Sequence, residues 1–280
     1  MSNAVKYSIL AAVIIAFSSC VDTKENKAEG LLNEAKAAYV NHDCQLAITL
    51  IDSLESAFPE AIEQRREALS LRIDAEAEMM IRQKELNDSL IVESQIKLDS
   101  LVKFFDKINY SGLLTPYFVC KPLAGRPILS RTGIEPRVTD EGNMSLISSL
   151  IGHKIGHVSL TLSDANGSCS ATSRVEYDGE RNLHDGTSEI ITFIDEEFRP
   201  ITEFAKLHRQ NKLTLRFDGK SSYSMPLSEG ELKALIQSAE LADAAHELVR
   251  LRNDSIYIER KLQIARDQKA RKATETTKAE

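Results

Sequence analysis

Apolar residues recur at helical spacing over two long stretches of the chain. Residues 60 to 108 contain no glycine or proline, and their apolar positions lie mostly three, four or seven residues apart: Leu69, Ile73, Ala77, Met80, Ile91, Leu98, Leu101, Phe105 and Ile108. Residues 232 to about 272 repeat the pattern with Leu235, Ala239, Ala242, Val249, Ile256 and Leu262. Such spacing predicts two long amphipathic helices, within segments 60–108 and 228–280.

The two predicted helices also match in length, because at 1.5 Å per residue each spans roughly 60–70 Å. We expect them to pack against each other in antiparallel fashion as a stalk. Leu101 and Phe105 should then lie near Leu235 and Ala239, and Met80 should approach Ile256. A seam of this kind does not fix its partner, so a homodimer through the long helices is the alternative.

A shorter helical pattern precedes the stalk. Apolar residues run at helical spacing through residues 29–40 and again through residues 44–58, with Asn41, His42 and Asp43 between them. A link this short predicts an antiparallel pair of helices over residues 29–59.

This pair of helices resembles a single tetratricopeptide (TPR) unit. Ala47 stands at the position of the small residue where the two helices cross, Asp43 falls on the turn, and Tyr39 and Pro59 match the ends of the helices. The family pattern has a turn glycine, a second small residue and an aromatic residue where this chain has His42, Leu54 and Leu31. The resemblance implies a packing geometry and no peptide groove, because one repeat cannot form the concave surface.

Residues 109–227 change to the alternation typical of β-strands. Runs of β-branched and aromatic residues occupy 115–120, 144–151, 156–162, 168–177, 189–194, 213–217 and 223–227, and turn pairs such as Asn166-Gly167 separate them. One helix after Pro200 should cover the sheet with a shared face of Ile201, Phe204, Ala205 and His208. The expected fold is α+β, with an antiparallel β domain, curled or sandwiched, inserted between the two stalk helices.

The start of the chain has the layout of a secretory signal. Lys6 precedes an apolar run from Ile9 to Phe17, which is too short to span a bilayer. The run ends in Phe17-Ser18-Ser19-Cys20, which resembles the lipobox of bacterial lipoproteins, although leucine is usual where Phe17 stands. The resemblance implies that residues 1–19 are removed, that Cys20 carries the lipid, and that residues 20–28 form a tether. The alternative is an ordinary signal peptide followed by a chance cysteine.

Charge and composition restrict the partners. The net charge of −7 becomes one unit more negative when Lys6 is removed, and an acidic balance argues against nucleic acid as a partner. After the signal, no apolar stretch reaches the roughly 20 residues that a spanning helix needs, so we expect lipid on Cys20 to be the only membrane anchor. We expect a protein of the cell envelope as the partner.

Three cysteines remain once Cys20 is acylated, so at least one of them stays unpaired within the chain. Cys44 lies in a helical pattern among apolar neighbours, where a free cysteine packs as a small hydrophobic residue. A disulfide between Cys120 and Cys169 in the β domain is left open.

Few residues suggest catalytic chemistry. His153 and His157 lie four apart, and on an extended strand both would point to one face, as a pair of metal ligands would. The nearby candidates for a third ligand are His184, Asp164 and Asp178, but histidines at strand edges and turns are more often solvated. Ser168, Ser170 and Ser173 lack a nucleophile elbow and an identifiable base. We therefore assign no catalytic residue, no metal ligand and no cofactor.

Four Asp-Ser-Leu or Asp-Ser-Ile triplets begin at Asp52, Asp88, Asp99 and Asp254. They resemble the acceptor pattern of an O-glycosylation system in some Gram-negative anaerobes. The simpler interpretation is that Asp and Ser occupy the solvated face of amphipathic helices.

The succession of lipobox, TPR-like hairpin, long charged helix and β region resembles a group of uncharacterised lipoproteins of anaerobic Gram-negative bacteria. The resemblance implies an outer-membrane location, facing the periplasm or the outside, and carries no activity. The leading hypothesis is a non-enzymatic lipoprotein with a structural or protein-interaction role. The alternative is a β module on a helical spacer that binds a glycan or a peptide.

Overall fold

The structure is a computed structural model that describes residues 24–279, with side chains described as far as residue 271. The predicted signal, residues 1–19, and the lipidation site Cys20 lie outside the described residues. The fold is mixed α+β, and its contacts divide the chain into two compact units. Unit 1 holds the described residues up to Ser89 together with those from Asn253, and unit 2 is Leu90–Arg252.

Unit 1 is helical. Helix α1 covers residues 24–40, α2 is Cys44–Ala57, and the long helix α3, Ile62–Val102, begins here. His42 adopts φ 61° in the link between α1 and α2, and the Asp43 side chain accepts a hydrogen bond from the backbone N–H of Leu46, which caps α2. Buried apolar residues of the three helices form the core of the unit: Leu32, Ala35, Ile51, Leu54 and Ala68.

The C-terminal helix α6, Glu229–Ala279, pairs with α3 in unit 1 through two ion pairs in antiparallel order. Lys84 contacts Glu259 at 3.4 Å, and Asp74 contacts Lys269 at 2.7 Å. Met80 lies four residues before Lys84. In this antiparallel register it therefore lies opposite a residue about four positions after Glu259. The predicted approach of Met80 to Ile256 was wrong by about two helical turns, and Ile256 is half exposed. Heptad patterns allow such shifts because neighbouring registers bury similar apolar surface.

Unit 2 contains two antiparallel sheets. The six-stranded sheet has the order β1-β2-β3-β4-β8-β7, and the four-stranded sheet has the order β10-β9-β5-β6. The strands are β1 Phe105–Ile108, β2 Tyr117–Cys120, β3 Gly133–Thr139, β4 Met144–Ile151, β5 Ser159–Ser163, β6 Cys169–Ala171, β7 Asn182–Asp185, β8 Ser188–Ile194, β9 Thr214–Asp218 and β10 Ser222–Pro226. Two helices accompany them, the single-turn α4, Lys121–Ala124, and α5, Arg199–Leu207.

One apolar core joins the sheets and helices of unit 2. Leu146 and Ile191 from the first sheet, Leu160 and Phe217 from the second, and Leu235 from α6 belong to it. The predicted helix after Pro200 is confirmed as α5, and three residues of its predicted face are buried: Ile201, Phe204 and Ala205. The core also contains Phe105 and Ala239, and Leu101 packs against it.

The predicted stalk helix 60–108 was too long at its C-terminal end. Helix α3 ends at Val102, and residues 105–108 form β1, which pairs with β2 from Phe105 opposite Cys120 to Ile108 opposite Tyr117. Apolar spacing of three and four residues continues through Phe105 and Ile108, but strand pairing and burial of Phe105 outweigh this local pattern.

Besides β1, the strands β3 and β7 were not predicted, and one strand was predicted too long. β3 contains Pro136, which usually argues against a strand, but the pairing of β3 with β2 is limited to Val138 and Thr139. At Pro136, β3 therefore forms a hydrogen-bond ladder on one side only, with β4, and a strand with one free edge tolerates proline. β7 follows the Asp178-Gly179 turn, and the predicted strand over residues 168–177 is limited to β6.

Within residues 24–279, no helix has the length and apolar character that crossing a bilayer requires.

Candidate functional site

A group of three polar residues lies inside the core of unit 2, and we call it the buried polar cluster. It consists of Ser148 in the middle of β4, Glu189 near the start of β8, and His157 in the loop that leads into β5. Ser148 pairs with Ile191, and Leu150 pairs with Glu189, so Ser148 and Glu189 are diagonal neighbours on one face of the sheet. The loop 152–158 places the His157 side chain against both.

The cluster has a defined hydrogen-bond pattern. His157 Nδ1 lies 3.1 Å from Glu189 Oε2, and His157 Nε2 lies 3.1 Å from Ser148 Oγ. An ionised carboxylate only accepts, so Nδ1 carries the hydrogen and donates to Glu189, which leaves Nε2 to accept from the Ser148 hydroxyl. Glu189 also accepts from the backbone N–H groups of Gly156 and His157, each at 2.8 Å.

Burial and hydrogen bonding together determine the ionisation of the cluster. It lowers the pKa of His157 below the ordinary value of 6.5, and the hydrogen bond and charge of Glu189 offset only part of this effect. Burial by itself would raise the pKa of Glu189, but its hydrogen bonds from the backbone of His157 and Gly156 outweigh burial and lower the pKa. The stable form is therefore a neutral histidine beside an ionised glutamate.

The order serine, histidine, carboxylate is that of a hydrolase triad, but the surroundings differ. Ser148 and His157 are 0% exposed and Glu189 is 3% exposed, so no substrate can reach the hydroxyl in this conformation. Ser148 also lies inside a paired strand, with no sharp turn to present it. What this arrangement does is hold loop 152–158 to the sheet.

Further contacts fix the same region. Asn182 of β7 is buried and its Nδ2 donates to the backbone carbonyls of Val175 and His157. The His157 ring packs edge-on against Phe217 of β9, with ring centroids 5.4 Å apart. The cluster thus connects strands of both sheets through one loop.

The two histidines considered as a metal pair are not brought together. His157 is in the buried polar cluster, whereas the ring of His153 packs against the tilted ring of Tyr223, with centroids 4.0 Å apart. The candidate third ligands make other contacts: Asp164 pairs with His208, Asp178 caps a turn, and His184 packs near Tyr177. Across the part of the chain that the structure describes, no group of three or more His, Cys, Asp or Glu side chains is arranged to hold a metal ion.

The three described cysteines are free thiols. Cys120, at the end of β2, is buried, and its Sγ donates to Gln237 Oε1 at 3.3 Å. Cys169, at the start of β6 in the other sheet, is exposed. The structure therefore does not form the Cys120–Cys169 disulfide that the sequence left open, and Cys44 is buried in α2 as predicted.

The serines of three Asp-Ser-Leu triplets are exposed on helices. The hydroxyls of Ser53 and Ser89 donate to backbone carbonyls four residues earlier, and that of Ser100 to one three residues earlier. They lie on the solvated side of α2 and α3, where the simpler interpretation places them.

A groove of about 440 Å³ lies on the surface of unit 2 between α5, α6 and the β3–β4 turn. Met144, Phe198 and Ala239 form its apolar floor, and Asp195 and Asp243 are among the charged residues at its edge. Gly142 is required here, because a Cβ at this position would lie 2.7 Å from the backbone oxygen of Ala242.

Sequence reasoning identified His157 but missed both of its partners. A signal was present for Glu189, since it shares a strand face with Ile191 and Phe193, and a charge at an inward position needs a buried partner. Ser148 gave no comparable signal, because serine is tolerated on either face of a strand.

No protein-family model, curated protein or solved structure matches the chain.

Proposed function

We propose that this protein is a membrane-anchored lipoprotein with a non-enzymatic, structural or protein-interaction role in the cell envelope. Lipid on Cys20 holds it to the outer membrane. The helices α1 and α2 act as a TPR-like hairpin, α3 and α6 act as a stalk, and the β region, inserted in sequence between them, contacts the partner.

The proposal rests mainly on the burial of the polar cluster, which closes its side chains off from substrates. The serine, histidine and carboxylate side chains are hydrogen-bonded to one another and almost completely buried. Catalytic triads need a reachable nucleophile and donors for a developing oxyanion. A sealed cluster that ties a loop to two sheets instead supports a scaffold role.

The stalk part of the proposal is supported by side-chain pairing along the long helices. Lys84 pairs with Glu259 in unit 1, and in unit 2 the Arg252 guanidinium donates to Gln95 at 3.0 Å. Shortening α3 and α6 by matched heptads should preserve folding and impair function, because the helices provide reach. Unchanged function in such a variant would show that the length of the helices is not required for function.

A reactivity experiment tests the non-enzymatic part. A fluorophosphonate probe that labels activated serines should leave the folded protein unmodified, and Ser148→Ala should behave as the wild type does. Labelling of wild-type protein that is lost in Ser148→Ala would show that the cluster opens and works as a hydrolase site.

A fractionation experiment tests the anchor. Cys20→Ala should be released from the membrane, because the lipid on this residue is the sole proposed anchor. Cys169→Ala serves as the matched control and should stay membrane-bound. Retention of Cys20→Ala after a high-salt wash would contradict the lipoprotein assignment.

The groove beside α5 and α6 favours a second candidate function, the binding of a small glycan or peptide. Its size is within the range of ligand sites, and its floor is apolar with charged residues at the edge. A glycan and peptide array probed with wild-type protein and with Asp243→Trp, which places a large side chain at an exposed position on the edge of the groove, would test this candidate. Binding that Asp243→Trp abolishes would favour it over the first proposal.

A further inference from the structure

The connection between β1 and β2, residues 109–116, exposes large apolar side chains, and we call it the hairpin tip. Leu114 is 100% exposed and Tyr110 is 61% exposed, although both are large apolar side chains. Leu113 and Pro116 between and beside them are partly exposed. Side chains of this size at a loop tip expose apolar surface that water does not favour.

The hairpin tip also lacks charge. No charged residue occurs between Lys107 and Lys121, in a chain in which 28% of residues are charged. Two cations flank the base of the tip: Lys107 pairs with Asp140 at 2.7 Å, and the Arg137 guanidinium lies 4.5 Å from the centre of the Tyr117 ring. Arg137 is itself paired with Glu135 at 2.8 Å.

These residues lie in an order that matches the layers of a bilayer surface. Leucines lie at the end of the tip, tyrosines lie at the tip and its base, and charged pairs follow behind them. Aromatic rings favour the headgroup level and leucine side chains favour hydrocarbon, whereas the charged groups stay in water. Because Lys107 and Arg137 each have a carboxylate partner, the contact would not depend on anionic lipid.

We propose that the hairpin tip inserts Leu114, Leu113 and Tyr110 into the surface of a neutral phospholipid bilayer. The inference rests on the proposed function only in that lipid on Cys20 keeps the protein beside a membrane. Insertion of one leucine side chain changes partitioning by roughly tenfold, so the tip supports the contact and does not replace the anchor.

The absence of tryptophan from the sequence allows a direct test. In residues 20–280 with Cys20→Ser, which cannot be acylated, Leu114→Trp places the chain's single tryptophan at the tip. On addition of phosphatidylcholine vesicles its emission should shift to shorter wavelength, and brominated phosphatidylcholine should quench it. Leu207→Trp, at a position of α5 that is 82% exposed, is the matched control and should change in neither respect.

A second variant tests whether the introduced tryptophan itself causes the binding. Leu114→Asp should lower vesicle binding roughly tenfold or more, with unchanged circular dichroism and little dependence on salt, whereas Leu207→Asp should leave binding unchanged. No spectral change in the Leu114→Trp protein, or equal quenching in the Leu114→Trp and Leu207→Trp proteins, would overturn the proposal. Capture of an envelope protein by the tip without any vesicle response would also overturn it and would assign the tip to a protein partner. Because these proteins carry no lipid on Cys20, either result is independent of the test of the anchor.

Discussion

Replacing His157 with glutamine should remove a specific component of the pH dependence of stability. In the folded protein, burial lowers the pKa of His157 below its ordinary value of 6.5. The unfolded chain then binds more protons than the folded chain as the pH falls below that value. The stability that depends on a neutral His157 is therefore present above pH 6.5 and is lost as the pH falls towards the folded pKa.

The size of the effect follows from proton linkage. Each unit by which the folded pKa of His157 lies below the unfolded value corresponds to about 1.4 kcal/mol of stability that is lost on acidification. Glu189 contributes a separate loss at lower pH, because its pKa lies below the ordinary value of 4.5. The two effects therefore fall in different pH ranges.

Amide hydrogen exchange in β4 and β8 is a suitable assay, because it reports the opening of unit 2 rather than of the whole chain. His157→Gln should itself lower the free energy of opening by about 2–4 kcal/mol, since it disturbs hydrogen bonds and packing in the core. The stability lost as the pH falls below 6.5 should be larger in the wild type than in the variant, by about 1.4 kcal/mol for each unit by which burial lowers the pKa of His157. If the variant keeps the full pH dependence of the wild type, His157 is not the group responsible.

Three further predictions concern packing and access. Glu231→Ala should destabilise unit 2 by about 3–5 kcal/mol in urea denaturation, because Glu231 is buried and pairs with Arg131 at 2.7 Å, whereas Glu229→Ala on the surface should have little effect. Leu101→Asp should cost about 2–4 kcal/mol, because it places a charge against the core, and an equal loss for the exposed control Leu86→Asp would contradict this reasoning. In native protein a thiol reagent should modify Cys169 and leave Cys120 unreacted until urea is added, because burial raises the pKa of the Cys120 thiol; rapid reaction of Cys120 would refute the burial.

Hydrophobic periodicity predicted much of the fold because most elements agree with their local pattern. β4 was predicted with its observed bounds, and α5 with three of the residues that it buries. The exceptions are elements that tertiary contacts decide. Residues 105–108 have helical spacing but pair as a strand, and β3 forms in spite of Pro136. In both cases the outcome depends on pairing with another strand, and a local pattern contains no information about that pairing.

The buried polar cluster could be predicted only in part, for a similar reason. Its histidine stands out in the sequence, but its hydrogen bonds depend on strand register and on the path of loop 152–158. Ser148 and Glu189 meet His157 because β4 and β8 are neighbours, and this pairing joins residues about forty positions apart. The hairpin tip was not recognised either, because its exposure depends on the end of α3 at Val102.

Photo-crosslinking in the native envelope tests the central claim most directly. A photoreactive amino acid would replace Val92 on α3 or Tyr177 in the β region, which are 58% and 64% exposed and outside the buried polar cluster. The account predicts that at least one position yields a reproducible adduct with a particular envelope protein, and that Cys20→Ala lowers its yield by releasing the protein from the membrane. The absence of any specific protein adduct from both positions, in cells where the protein is membrane-bound, would contradict a protein-interaction role.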